Sequence, residues 1–343
     1  MIILGIDTSC DDTSAAVVLD GQRMLSNVIH SQVKLHNAYG GVVPELASRE
    51  HVRNIMPVVQ ESLLRANIRM RDLDGIAVTV GPGLVGALLV GLYYAKCLAY
   101  VHNIPMVAIN HLEGHILSIF LEKEIPLFPF VALTVSGGHT SLYHVEGYGR
   151  YTQMGQTLDD AAGEAFDKVA KILGLGYPGG VAIEKAALDG RKDRINFPRP
   201  YLSNDSLDFS FSGLKTAVAL YVKKWRESAV ENDDVTLADV ACSFQESVVD
   251  VLINKVMRAR EKKSVSTIMV AGGVACNHRL RARMSEAAST EGVPVYFPRP
   301  EYCTDNAAMI AVAGYHRISN GERADLSMDV RSKYPINDLS PMV

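Results

Sequence analysis

The chain has 343 residues, 48% of them hydrophobic and 21% charged, which argues against a disordered polymer and favours two domains or lobes. Its 34 basic and 38 acidic side chains leave a formal charge of −4, which argues against a uniformly basic nucleic-acid binder but leaves room for a local basic patch or a partner. Cys10, Cys97, Cys242, Cys276 and Cys303 form no CxxC pair, so a reducing, cytoplasmic interior is expected. The first residues lack a basic n-region, and the apolar run from 84 stops at Lys96, short of the roughly 20 residues of a membrane span.

In chain order, residues 2–6 read as a buried strand, 7–14 as a small polar turn, and 15–19 as a second strand. Residues 44–68 have helical spacing, with a kink or break expected at Pro57. A strand follows at 75–80 and a helix, apolar nearly all round, at 84–102. Gly83, Ala87, Gly91, Ala95 and Ala99 recur at every fourth position, a stripe that admits another backbone, either this protein's own or a second chain's. Residues 105–110 read as a strand. The segment 128–145 is a second strand–turn–strand unit, with Ser136, Gly137, Gly138, His139 and Thr140 at its turn, and its layout suggests internal duplication. Helices are expected at 161–173 and 181–188, then a long, basic, irregular insertion at 189–213, then helices at 214–228 and 237–262. A strand at 267–271 ends in Gly272 and Gly273. A helix at 280–291, a strand at 293–297 and a helix at 304–319 complete the chain, with Thr304 or Asp305 as the N-cap of the last helix. Strands alternate with helices throughout, so the class is α/β.

Two features carry chemistry. His111 and His115 stand at i and i+4 and share one helix face, which suits either a shared metal or a structural pair. Glu113 sits between them. Zinc-protease motifs place their general base directly after the first histidine or directly before the second, and here those positions hold Leu112 and Gly114. The second feature is three polar turns after apolar strands, at 7–12, 136–140 and 271–274. Free backbone N–H groups in such turns cradle phosphate, which suggests a nucleotide held between two similar lobes. No P-loop or dinucleotide fingerprint is present.

The chain closely resembles the TsaD family, formerly YgjD or Gcp, the tRNA N6-adenosine threonylcarbamoyltransferases. The resemblance spans essentially the whole chain and rests on LGIDTSCDDT, SQVKLHNAYGGVVPELASREH, GPGLVGALLVG, NHLEGH, VSGGHTSL, DDAAGEAFDKVAKILGL with YPGG, DFSFSGLKTA, MVAGGVACN and YCTDNAAMIA. It implies a two-lobed, actin-like and Hsp70-like ATPase fold, with 1–118 plus 308–343 as one lobe and 119–307 as the other. It implies one divalent metal, iron(II) or zinc, held by His111, His115 and Asp305, so that Asp305 becomes a ligand rather than a cap. It implies a nucleotide site of Thr134, Val135, Ser136, Gly137, Gly138, Asp167, Gly180, Glu184 and Asn277, beside Gly272 and Gly273. Many members carry a proline after the YPGG glycines, where this chain has Val181. Asp11 and Asp12 match an acidic pair of the family's first turn, with Asp11 the candidate for orienting the attacking amine and an Asx-turn as the structural alternative.

The activity so implied is transfer of the threonylcarbamoyl group from threonylcarbamoyl-AMP to N6 of the adenosine 3′ of the anticodon in tRNAs reading ANN codons, with release of AMP. ATP, ADP or AMP would occupy the same site. The implied partners are tRNA, the paralogue TsaB, docked on the helices near 44–68 and 84–102 through the small-residue stripe, and the ATPase TsaE. No membrane is implied, and the isolated chain is compatible with a homodimer. Candidate phosphate contacts are Arg191, Lys192, Arg194 and Arg199, then Lys223, Lys224 and Arg226, then Arg279, Arg281 and Arg283. The rivals are a small-molecule kinase of the same fold, a metalloprotease, and a non-catalytic nucleotide-binding scaffold.

Overall fold

A computed structural model describes residues 1–203, 205–227, 234–340 and 342. The strands are β1 (Ile2–Asp7), β2 (Asp12–Leu19), β3 (Arg23–Ser31), β4 (Gly75–Gly81), β5 (Met106–Asn110), β6 (Phe130–Val135), β7 (Thr140–Gly147), β8 (Arg150–Gln156), β9 (Ile268–Ala271) and β10 (Val295–Tyr296). The α-helices are α1 (Val33–Asn37), α2 (Pro44–Ala66), α3 (Val85–His102), α4 (His111–Leu117), α5 (Ala162–Leu173), α6 (Gly179–Ala187), α7 (Ser212–Glu227), α8 (Leu237–Lys263), α9 (His278–Thr290), α10 (Pro300–Cys303) and α11 (Ala307–Ser319). The helix expected at 214–228 is α7, and Ser228 lies outside the described residues.

The chain forms two compact units. One comprises 1–128, 145–152 and 298–343, the other 129–144 and 153–297. The chain passes between the units at 128/129, 144/145, 152/153 and 297/298, where the sequence reading expects divisions at 118/119 and 307/308. Asp305 therefore shares a unit with His111 and His115.

The first sheet has the order β3-β2-β1-β4-β5 and the second β10-β9-β6-β7-β8. These are one pattern read from opposite ends: a central strand, a following hairpin partner on one side, and two later strands on the other. β1 pairs antiparallel with β2, Asp7 opposite Ser14, and parallel with β4. β4 pairs parallel with β5, and in the second sheet β6 with β9 and β9 with β10 are likewise parallel. The duplication expected from the two strand–turn–strand units thus extends to five strands each.

Within the first unit, β1 and β4 are buried along nearly their whole length, as strands covered on both faces are. Their core includes Leu4, Ile6, Val17, Ile76, Val78 and, from the covering helices, Ile55, Val59, Leu92 and Ala95. α2 runs through Pro57 without a break and ends on Asn67 in the left-handed conformation. The expected break fails because tertiary packing of Ile55, Val58 and Val59 holds both halves. α3 continues past Lys96 to His102 and is, by length and composition alone, long enough to cross a membrane. Here it packs its small residues Ala87, Gly91, Ala95 and Ala99 inward, and Lys96 donates to the Met328 carbonyl. In the second unit the buried faces are built from Val131, Leu133, Leu142, Phe166, Val248 and Leu252, with the Phe166 and Phe244 rings 5.2 Å apart edge to face.

Candidate metal centre and nucleotide turn

The metal-centre residues come from β5–α4 and from the segment before α11. Asn110 ends β5 and caps α4 by accepting from the Leu112 and Glu113 N–H groups, at 2.9 and 3.4 Å. It thereby starts a helix on which His111 and His115 lie one turn apart. Asp305 is not a cap. Asn306 takes that role by accepting from Met309 N–H at 3.0 Å, and α11 begins at Ala307. The expectation that Thr304 or Asp305 caps the helix is thus corrected by one residue, which frees the Asp305 carboxylate.

Asp305 Oδ1 lies 3.4 Å from His111 Nε2 and 3.2 Å from His115 Nε2. Ligand atoms of the three side chains fall within 4.8 Å of one another. Both histidines are buried, and His115 has neither ring nitrogen hydrogen-bonded. Buried imidazole nitrogens rarely go unpaired. Against the upward push of burial, His111 and His115 hold the Asp305 carboxyl well below the usual carboxylate range, in the ionised form a cation binds. Two imidazoles, one carboxylate and an orphaned nitrogen aimed at their centre fit a divalent metal with open positions.

Glu113, between the ligands, is fully buried and does not face them. It accepts from Arg317 Nε and Nη2 at 2.7 and 2.8 Å and from the Tyr151 hydroxyl at 3.0 Å. This bidentate pair occupies both carboxylate oxygens, so Glu113 braces α4 on α11 and has no role as a protease base. The sequence carries no local sign of this, because Arg317 lies 204 residues away.

Asp11 and Asp12 lie in the β1–β2 turn and at the start of β2. Burial pushes both carboxyls up, Asp12 to about 7. Behind them, His51 bonds Thr13 Oγ1 at 2.7 Å and the Cys10 carbonyl at 2.9 Å, and Gln32 N–H donates to the Asp11 carbonyl at 3.1 Å. The motif 31–51 therefore backs the acidic turn, a role the sequence did not disclose.

In the second unit, the turn after β6 places Gly137 and Gly138 in the open, where an added Cβ would meet nothing within 4 Å. Ser136 N–H bonds the His139 carbonyl at 2.7 Å, and the Ser136 carbonyl accepts from Gly163 N–H of α5 at 3.1 Å. Thr134 and Val135 are buried at the end of β6. Gly272, at φ +97°, approaches so closely that a Cβ there would stand 2.4 Å from the Val135 carbonyl oxygen, which brings the β9 turn onto the β6 turn. Asp167 accepts from Gly179 N–H at 2.7 Å, next to Gly180, and Glu184 accepts from His278 N–H at 2.6 Å. All of the expected nucleotide residues lie in one unit. Among them, only Gly272 and Val135 are in direct contact by these distances, since Asp167 and Glu184 bond Gly179 and His278, which are not among the expected residues. Asn277 differs in one respect: its side chain caps α9 through Leu280 N–H at 2.9 Å and donates to Gln245 at 2.7 Å.

Most of the candidate phosphate contacts are engaged internally. Arg191 pairs with Asp234 and Asp239, Arg199 with Asp250, Arg279 and Arg283 with Glu246, and Arg226 with the Ile172 carbonyl. The basic insertion is therefore largely an internal ion-pair network. Lys192 makes no ion pair among the described residues and lines a cavity of about 390 Å³ with Asn196, Arg199 and Arg283. The small-residue stripe is likewise turned inward, so it is not a docking face. The exposed side of α3 carries Tyr93, Tyr100 and Val101, and that of α2 carries Val52, Met56 and Leu64.

The repeated β-order in the two units is an α/β architecture of duplicated mixed sheets, the actin-like and Hsp70-like fold. Two solved structures share this fold at low identity. They are component A of the Acidaminococcus fermentans (R)-2-hydroxyglutaryl-CoA dehydratase, with TM-score 0.56, 16% identity and coverage of 93% of this chain and 99% of that one, and full-length HypF, with TM-score 0.62, 13% identity and coverage of 92% and 55%. The family model described as TsaD, tRNA N6-adenosine threonylcarbamoyltransferase, matches residues 23–312, and the chain belongs to that family. Relatives bearing that same name include one from Syntrophus aciditrophicus, 51% identical over 98% of both chains, and one from Syntrophotalea carbinolica, 53% identical over 98% of this chain and 97% of its own.

Proposed function

We propose that this protein forms N6-threonylcarbamoyladenosine in tRNA by transferring the threonylcarbamoyl group of threonylcarbamoyl-AMP to the N6 amine, with AMP leaving. Family membership over residues 23–312 carries this reading. The target is the adenosine 3′ of the anticodon in tRNAs that read ANN codons, and the compartment is the cytoplasm.

N6 of adenosine is a weak nucleophile because its lone pair is delocalised into the ring. The reaction therefore needs a polarised acyl carbonyl and a fixed donor more than a strong base. His111, His115 and Asp305 are the residues that hold the metal, iron(II) or zinc, which supplies Lewis-acid polarisation when bound. The uncrowded turn at Gly137 and Gly138, where backbone can come close to a ligand, suits the acyl-phosphate part. In this reading Asp167 and Glu184 would accept from ribose hydroxyls, and Gly180, Gly272, Gly273 and Asn277 would line the nucleotide. ATP, ADP and AMP compete for the same residues. Asp12, with its carboxyl near 7, is poised to take the proton from N6, and Asp11 to orient the amine.

The partners in this reading are tRNA, the paralogue TsaB on the exposed sides of α2 and α3, and the ATPase TsaE. The isolated chain is a candidate homodimer through the same faces. Engagement of most arginines within the second unit means that a complex must complete the tRNA surface. A discharge assay tests the reading: AMP release from threonylcarbamoyl-AMP should accelerate on adding acceptor tRNA and partners. Production of ADP from ATP and a small alcohol, with no tRNA effect, would favour a kinase instead.

A further inference from the structure

Resting on the metal reading above, we propose that Asn110 is a positioning residue for the metal helix α4, and that the segment 324–334, which follows α11, is the strap that holds it. Asn110 ends β5 opposite Gly81 of β4 and is fully buried. Its Oδ1 accepts from the Leu112 and Glu113 N–H groups and so starts the helix on which His111 and His115 stand. Its Nδ2 donates to the Tyr334 carbonyl at 2.8 Å. A side-chain amide accepts at one end and donates at the other. Two backbone N–H groups at Oδ1 and a backbone carbonyl at Nδ2 fix it in one orientation. Turned over, it would set donor against donor and acceptor against acceptor. The Tyr334 carbonyl thus decides which end of Asn110 meets α4.

The strap is itself tied down along its length. Ala324 N–H donates to the Met106 carbonyl at 2.7 Å, where β5 begins, and Arg331 N–H to the Val80 carbonyl at 2.8 Å, near the end of β4. Lys96 of α3 holds the Met328 carbonyl, and the Ser332 carbonyl accepts from Gly83 N–H at 3.3 Å. Met328, Val330 and Tyr334 pack on the core of the first unit. Gly81, at φ +152°, lets the strap come this close: a Cβ there would stand 1.9 Å from the Arg331 carbonyl oxygen. The strap thus reaches His111 and His115 through the start of α4. Such a coupling is reciprocal: whatever the strap adds to metal affinity, bound metal adds to the docking of the strap.

Two measurements on the full chain test this: competition with a chromophoric chelator for Zn2+ affinity, and amide hydrogen exchange with and without Zn2+. Asn110→Ser keeps a capping oxygen on α4 but loses the amide that reaches the strap. The folded variant should bind Zn2+ about 10-fold more weakly, the low end of what changing a residue behind the ligands costs. A merely structural bond would lower stability and leave that affinity alone. In wild type, Zn2+ should slow exchange across 328–334 about 10-fold relative to peptides of β2 and β3, and in Asn110→Ser that slowing should vanish. Zn2+ bound by wild type with no slowing at 328–334 overturns the proposal, and needs no variant to fold. Wild-type Zn2+ affinity in folded Asn110→Ser overturns it too, and both results leave the metal reading intact. Failure of wild type to bind Zn2+ sinks both.

Discussion

Gly91 lies directly against Thr8: a Cβ built on Gly91 would stand 2.4 Å from Thr8 Oγ1, a hydroxyl already bonded to the Ala87 carbonyl. The small-residue stripe of α3 is therefore how the helix reaches the first turn. Gly91→Ala should cost about 1–3 kcal/mol through overpacking, read by urea unfolding, and should leave partner pairing intact. Tyr100, at 76% exposed, is the reverse case, and Tyr100→Asp should weaken pairing in gel filtration without loss of stability. Unchanged stability with lost pairing in Gly91→Ala would return the stripe to an interface.

The Glu113–Arg317 pair predicts a second asymmetry. Arg317→Met leaves a buried, unpaired carboxylate and should cost about 3–5 kcal/mol, whereas Arg317→Met combined with Glu113→Gln should recover much of that loss. Denaturant unfolding of the two single variants and the double variant gives the coupling. Additive losses would mean that the pair does not act as a unit.

His316 supplies a pH signature. Burial holds its imidazole down to about 4 against an ordinary value of 6.5, and its ring stacks 3.6 Å from that of Tyr148. Between those values the unfolded chain binds a proton that the folded chain refuses, so stability rises with pH across that window. The penalty is absent above 6.5 and complete below about 4. His316→Phe should remove it, so that variant and wild type diverge by roughly 3 kcal/mol as pH falls from 7 to 4. Parallel stability–pH curves would contradict this.

Lys192 and Arg279 separate surface charge from structure. Lys192→Ala should reduce the salt slope of tRNA binding by the assembled complex by about 1 and leave folding unchanged. Arg279→Ala should destabilise the protein, since Glu246, its partner, is only 3% exposed. The reverse pattern would restore Arg279 to the nucleic-acid surface.

What the sequence disclosed follows from how local each signal is. The strand–turn–strand units and the His111/His115 spacing depend on neighbours and were legible. Asp305 was misread as a cap because Thr304, Asp305 and Asn306 all carry capping oxygens before the same apolar run, and only the backbone shows that Asn306 is used. The inward face of α3 was hidden because the helix is apolar nearly all round, so periodicity marks no side. β3 and β8 escaped notice because their residues are largely half-exposed and polar, with weak alternation. Arg317 acts through a contact 204 positions away from its partner Glu113, and no window reads that far.

The most direct test is mass spectrometry of nucleosides from tRNA incubated with this protein, its partners and threonylcarbamoyl-AMP, run beside His111→Ala. Wild type should yield N6-threonylcarbamoyladenosine, and His111→Ala should yield little or none while remaining folded. Unmodified adenosine with wild type and active partners, or equal modification by both proteins, would contradict the account.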